Sequence, residues 1–133
     1  MAEGQEDKPS VTQLQFFREA VKNHDKVEAC HEIDDQIYRL DRTGDLGEIV
    51  VYLTNLYTLG YADVLEIKSK CRRVNCIVTM SGWNGYTGDA KNYATENQIG
   101  LFKFAEFMGA LNFKQIWKYV KKGRETARRI RYR

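Results

Sequence analysis

The sequence is poor in the features that announce a function outright. No apolar run approaches the ~18 residues that cross a bilayer, so no membrane span is expected. No secretory leader is visible: the chain opens MAEGQEDKPS, polar and acidic rather than basic and then apolar. The three cysteines, Cys30, Cys71 and Cys76, are odd in number and lack metal-ligand spacing. Reduced thiols in a cytoplasmic protein are the reading that follows. Two histidines occur, His24 and His31, with too few ligands nearby for a zinc site, so both are expected at the surface or in turns. No serine or cysteine has a base partner at motif level, which removes the sequence signal for nucleophilic catalysis. Gly82, Gly85 and Gly88 lack the lysine and the spacing of a Walker or Rossmann fingerprint. There is no tandem repeat.

What is present is an ordinary globular composition. The chain has 133 residues, 43% hydrophobic and 29% charged, the size of one domain that buries roughly two thirds of its unfolded surface. A net charge of +3 conceals an asymmetry. Residues 114–133 carry nine Lys/Arg and one acid, a net of +8, so the remainder sums to −5. A mildly acidic body with a strongly basic end is expected. Residues 1–9 have little to bury and are expected to be disordered, 10–122 to form one domain, and 123–133 to be a basic tail.

Hydrophobic periodicity sets out the elements. Ser10 and Gln13 have the form of a capping box, and Leu14, Phe17 and Val21 recur at helical spacing, which predicts a helix over 11–23. Residues 26–40 read either as one helix face or as two strands, VEACHEI and QIYRLDR, with a turn at Asp34-Asp35; the strands are favoured. The turn Thr43-Gly44-Asp45-Leu46-Gly47 then leads into EIVVYLT, a β-prone run. Residues 61–72 read as a helix, with a strand through ADVLEIK as the competitor. An apolar strand at 76–80, a helix at 87–97 and a strand near 101–104 follow. Two short helices break near Asn112, where the spacing of Phe104, Phe107, Met108 and Leu111 restarts out of phase at Phe113, Ile116, Trp117 and Val120. The predicted fold is α/β: an N-terminal helix, a three-strand meander, a β-α-β-α-β parallel crossover and two C-terminal helices.

This order resembles the restriction-endonuclease-like fold, the PD-(D/E)XK superfamily, and within it the Mrr-type nucleases. The resemblance covers roughly residues 11–107. It rests on Ile77-Val78-Thr79-Met80-Ser81-Gly82 with Tyr86-Thr87 and Ala90, and on the turn Gly44-Asp45-Leu46-Gly47. It implies Mg²⁺-dependent phosphodiester hydrolysis, with one acid at a strand end and an acid-x-Lys on the next strand holding the metal and the attacking water. Carried over, these are Asp45 and Glu66-Ile67-Lys68, with Glu19 as a supporting acid. That assignment requires a strand over 62–70. With a helix there, EIVVYL becomes the third strand, the acid-x-Lys is missing and the nuclease-like site is emptied. Magnesium is the one cofactor implied, and only under the first alternative. Nuclease-like folds often pair, so the resemblance also allows a homodimer.

Two further groups stand out. Open α/β sheets bind ligands at the C-terminal ends of their strands, which singles out Asn55, Ser81, Trp83, Asn84 and Tyr86 as a pocket for a small anion or nucleotide. The competing reading makes these residues turn formers and core lids. The basic end, Lys118, Lys121, Lys122, Arg124, Arg128, Arg129 and Arg131, has aromatic residues interleaved, which suits DNA or RNA; the competing reading is a solubilising or partner-docking end. The expected function is a nucleic-acid-associated, nuclease-like module. The alternatives are an active Mg²⁺-dependent nuclease, and a small-ligand or protein-interaction module working through residues 81–87.

Overall fold

The computed structural model describes residues 8–80 and 85–120. Its elements are α1 (Val11–Lys22), β1 (Val27–Glu32), β2 (Ile37–Arg42), a 3₁₀ turn (Gly44–Leu46) and β3 (Ile49–Thr54). Next come β4 (Thr58–Leu59), α2 (Tyr61–Lys70), β5 (Cys76–Thr79), β6 (Gly85–Tyr86) and α3 (Gly88–Glu96). The chain continues through β7 (Gly100–Lys103), α4 (Phe104–Ala110) and a 3₁₀ turn (Ile116–Lys118). Five strands form a mixed sheet in the order β1-β2-β3-β5-β7. β1, β2 and β3 meander antiparallel, and β3, β5 and β7 run parallel.

Strand alternation divides the core into two layers. Tyr38, Leu40, Val51, Leu53, Cys76, Val78 and Phe102 face one side, where Phe17 and Val21 of α1 and Phe107 and Ala110 of α4 pack on them. Tyr52, Ile77 and Leu101 face the other, under Val64 and Ile67 of α2 and Ala90 and Ala94 of α3. α1 starts where the sequence places it: Ser10 Oγ accepts from the Gln13 N–H at 3.1 Å, and Gln13 Oε1 accepts from the Ser10 N–H at 2.9 Å. α3 starts at Thr87, whose side chain accepts from the Ala90 N–H at 3.1 Å. β3 follows a turn closed by Gly47 at φ 79°, a region that favours glycine.

Residues 26–40 fall in two strands and 61–70 is a helix, the readings favoured from the sequence, so the competing helix over 26–40 and strand over 62–70 both fail. In 61–70 the buried residues are Val64 and Ile67, with Cys71 one turn on; that spacing faces a sheet from a helix, whereas alternate residues of a strand would bury the exposed Leu65. The second C-terminal helix reduces to one 3₁₀ turn at Ile116–Lys118. The carbonyl of Phe113, which would begin its ladder, accepts from Arg42, as does that of Leu111 at the exit of α4. Ahead of α1, Pro9 is buried, and Lys8 Nζ lies 2.8 Å from Asp35 Oδ2. Residues 1–7 and the tail at 123–133 lie outside the described residues. Among the described residues, no helix is long and apolar enough to cross a membrane.

Candidate functional site

The C-terminal ends of β3, β5 and β7 lie side by side. Thr54 pairs in register with Thr79, and Thr79 with Lys103, so the three side chains form a row on the α2/α3 side. Thr54 and Thr79 are fully buried. Thr54 Oγ1 accepts from the Leu56 N–H at 3.3 Å. The hydroxyl of Thr79 is buried without a hydrogen-bond partner, a situation that costs about 1–3 kcal/mol. Lys103 is half-buried, and its stem passes the face of Gly85, where a Cβ would meet Lys103 Cε at 3.8 Å.

A short parallel ribbon, β4 with β6, gathers further groups at this end. The Gly85 N–H donates to the Tyr57 carbonyl and the Thr87 N–H to the Leu59 carbonyl, each at 3.0 Å. This joins the loop after β3, which holds Asn55, to the segment that holds Tyr86. Asn55 Oδ1 accepts from Gln13 Nε2 of α1 at 3.3 Å. The Tyr86 hydroxyl donates to Glu106 Oε1 at 2.8 Å, and the Lys103 N–H reaches the same oxygen at 3.0 Å. Glu106 is nearly buried and closes the start of α4. Lys91 Nζ donates to the Leu101 carbonyl at 2.6 Å, with the rings of Phe102 and Tyr86 centred 4.3 and 5.3 Å away. Of the five residues expected in this pocket, Asn55 and Tyr86 do fall at the same end of the sheet. Ser81, Trp83 and Asn84 lie outside the described residues. Sequence reading missed Thr54, Thr79, Lys103 and Glu106; the signal available was that each ends a strand or opens a helix at the same edge.

The catalytic trio does not assemble. Asp45 is exposed in the 3₁₀ turn that precedes β3. Glu66 and Lys68 are on α2, off its buried face. Glu66 pairs with Lys70 at 3.6 Å, one helical turn on. Lys68 Nζ donates to Asn97 Oδ1 at 3.2 Å and lies 5.6 Å from the centre of the Tyr93 ring. The strand that does occupy third place reads Ile49-Val50-Val51-Tyr52-Leu53-Thr54, with no acid and no lysine. Glu19 is exposed on α1. These residues do not fit a magnesium ion, which wants convergent oxygen ligands. Among the described residues, no group of three or more His, Cys, Asp or Glu side chains is placed to hold a metal.

The two histidines are structural. His24 Nδ1 accepts from the Lys26 N–H at 3.0 Å, which leaves Nε2 to donate to the Met108 carbonyl at 2.9 Å. His31 Nε2 donates to Asp41 Oδ2 at 2.9 Å across the β1–β2 hairpin.

The basic end enters the described fold at Lys118, exposed in the last 3₁₀ turn. Lys121, Lys122, Arg124, Arg128, Arg129 and Arg131 lie outside the described residues. Lys118 borders an open groove of ≈ 1210 Å³ that also touches Leu46, Phe113, Lys114, Trp117 and Tyr119. Beneath it is Arg42, 4% exposed. Its guanidinium donates to four backbone carbonyls: Leu46 at 2.8 Å, Gly47 at 3.1 Å, Leu111 at 3.1 Å and Phe113 at 2.8 Å. Burial draws its pKa below the usual arginine value.

Compared with protein-family models, with curated proteins and with solved structures, the chain matches none.

Proposed function

We propose that the chain is a nucleic-acid-associated module of restriction-endonuclease-like build whose hydrolytic site has been emptied. The observation that carries this reading is the third strand. The helix–three-strand meander–helix–strand order is that of the resemblance, and the strand on which the acid-x-Lys would lie is instead wholly buried or half-buried apolar sequence, Ile49 to Leu53. Burying a carboxylate and an ammonium there without partners would cost several kcal/mol each. What remains for function is binding, and the charge asymmetry supports phosphate as the counterpart: residues 114–133 carry a net +8 on a body that is otherwise acidic.

The test uses supercoiled plasmid and single-stranded DNA and RNA, each with Mg²⁺ or Mn²⁺. Intact substrate together with a gel shift that weakens as salt rises is expected. Cleavage abolished by replacing a residue of this chain would refute the emptied site. No shift with any of the three nucleic acids at low salt would refute the binding role.

A second reading is favoured by Thr79. A buried hydroxyl without a partner, in register with Lys103 at the strand ends, suits a small anionic ligand reached beneath the β4–β6 ribbon. A panel of inorganic phosphate and nucleotides, followed by thermal melting, tests it. A melting rise that is lost in the isosteric Thr79→Val supports this reading; a rise of equal size in that variant sinks it.

A further inference from the structure

We infer that the groove between the β2–β3 turn and the C-terminal segment is a stacking site for the unpaired bases of a single strand. This deepens the nucleic-acid reading above and rests on it. The groove is lined by Leu46 of the β2–β3 turn and by Phe113, Trp117 and Tyr119 of the C-terminal segment. Phe113 is 52% exposed. An aromatic ring left that open on a structured segment loses burial energy unless a partner covers it. The Phe113 and Tyr119 rings are tilted by 34° with centroids 5.6 Å apart, so they form one broad apolar face rather than two isolated rings.

The lining is tied to the body of the fold. Arg42 holds the Leu46 carbonyl and the Phe113 carbonyl with the same guanidinium, which sets the distance across the groove. Tyr119 lies so close over Gly109 that an added Cβ would fall 2.8 Å from Tyr119 Cζ. A platform fixed in this way has already lost the side-chain entropy that binding would otherwise cost.

The rim selects the occupant. Lys114 and Lys118 are exposed at the mouth, and the sequence continues from them with seven more Lys/Arg and one acid. An apolar floor under a cationic rim suits a chain of bases on a phosphate backbone. Every base has a flat face to stack, so the site needs no sequence readout. A duplex keeps its bases stacked on one another and cannot enter, leaving the lysines its main contact. An apolar peptide would fill the floor but leave the rim charges unmatched.

The experiment uses the full chain carrying Trp83→Phe, so that Trp117 is the sole tryptophan. It is titrated with a twelve-nucleotide oligothymidylate and with a duplex of equal length. The expected result is quenching of tryptophan emission by the single strand and not by the duplex. In parallel, anisotropy of labelled oligonucleotides is read with the natural chain and with Phe113→Ala, whose ring is exposed enough for the fold to survive its loss. Single-strand affinity should fall about tenfold in that variant, with duplex affinity unchanged. Equal binding of both forms with no change in tryptophan emission overturns the stacking site while leaving nucleic-acid association standing. Failure to bind either form overturns the association itself and the inference with it. Single-strand affinity that is undiminished in Phe113→Ala places the contact elsewhere and also overturns the inference.

Discussion

Arg42 and Phe113 are 71 positions apart in the chain, and Arg42 Nη1 donates to the Phe113 carbonyl at 2.8 Å. Among the described residues, no carboxylate bonds to this buried guanidinium. Its partners are the backbone carbonyls of two segments that share no strand pairing: the turn before β3 and the exit of α4. One side chain therefore joins the antiparallel half of the sheet to the C-terminal segment that walls the groove.

Arg42→Met should lower stability by about 2–4 kcal/mol, because it keeps the apolar stem but leaves four carbonyls without their donor. The urea midpoint measures this. Arg42→Lys should recover less than half of the loss, since an ammonium cannot fork to carbonyls on two sides. A midpoint unchanged by Arg42→Met would mean that these bonds are replaced by water at no cost.

The hairpin carries a pH-dependent element. The His31 hydrogen bond, aided by the nearby Arg39 charge, holds the Asp41 carboxyl below its ordinary value of 3.8. The pKa is lower folded than unfolded, so the contribution is present above about 3.8 and is lost as pH falls through the lower folded value. Removing the partner in His31→Ala should move the Asp41 pKa up toward 3.8 in an NMR titration. An unmoved value would assign the shift to Arg39 alone. The pair is well exposed, so the accompanying change in stability should be small.

Glu66 and Lys68 serve as a control on the emptied site. Glu66 is exposed and Lys68 is half-buried, its ammonium bonded only to the exposed Asn97 side chain and set over Tyr93, so the double substitution Glu66→Ala, Lys68→Ala should change stability by under about 1 kcal/mol. It should also leave the single-strand and duplex gel shifts where they were. Loss of binding in that variant would return these residues to a functional surface.

Much of the architecture is readable along the chain. The capping box at Ser10 and Gln13, the run Ile49 to Thr54 and the helix over 88–96 each combine local propensity with periodicity, and each appears where expected. Less of the candidate site is readable. Asn55 and Tyr86 could be marked because loops after parallel strands are a known location for ligands. Thr79 reads only as part of an apolar strand pattern, and Lys103 and Glu106 belong to no motif; sheet register and the start of α4 bring them to one end.

Two segments show where local information ends. Residues 61–70 fit a strand or a helix by composition, and the choice rests on which side chains meet the sheet. A helix puts Val64 and Ile67 together under it, leaving Glu66 and Lys68 outside. Residues 113–120 have helical spacing, yet the Phe113 carbonyl that would begin the helix accepts from an arginine of β2. Periodicity, caps and charge act between near neighbours, so the chain alone determined most of its elements, these two segments excepted, and its basic end. Sheet register, the row at the strand ends and the groove under Phe113 depend on contacts between distant residues, and these exist only once the sheet has closed.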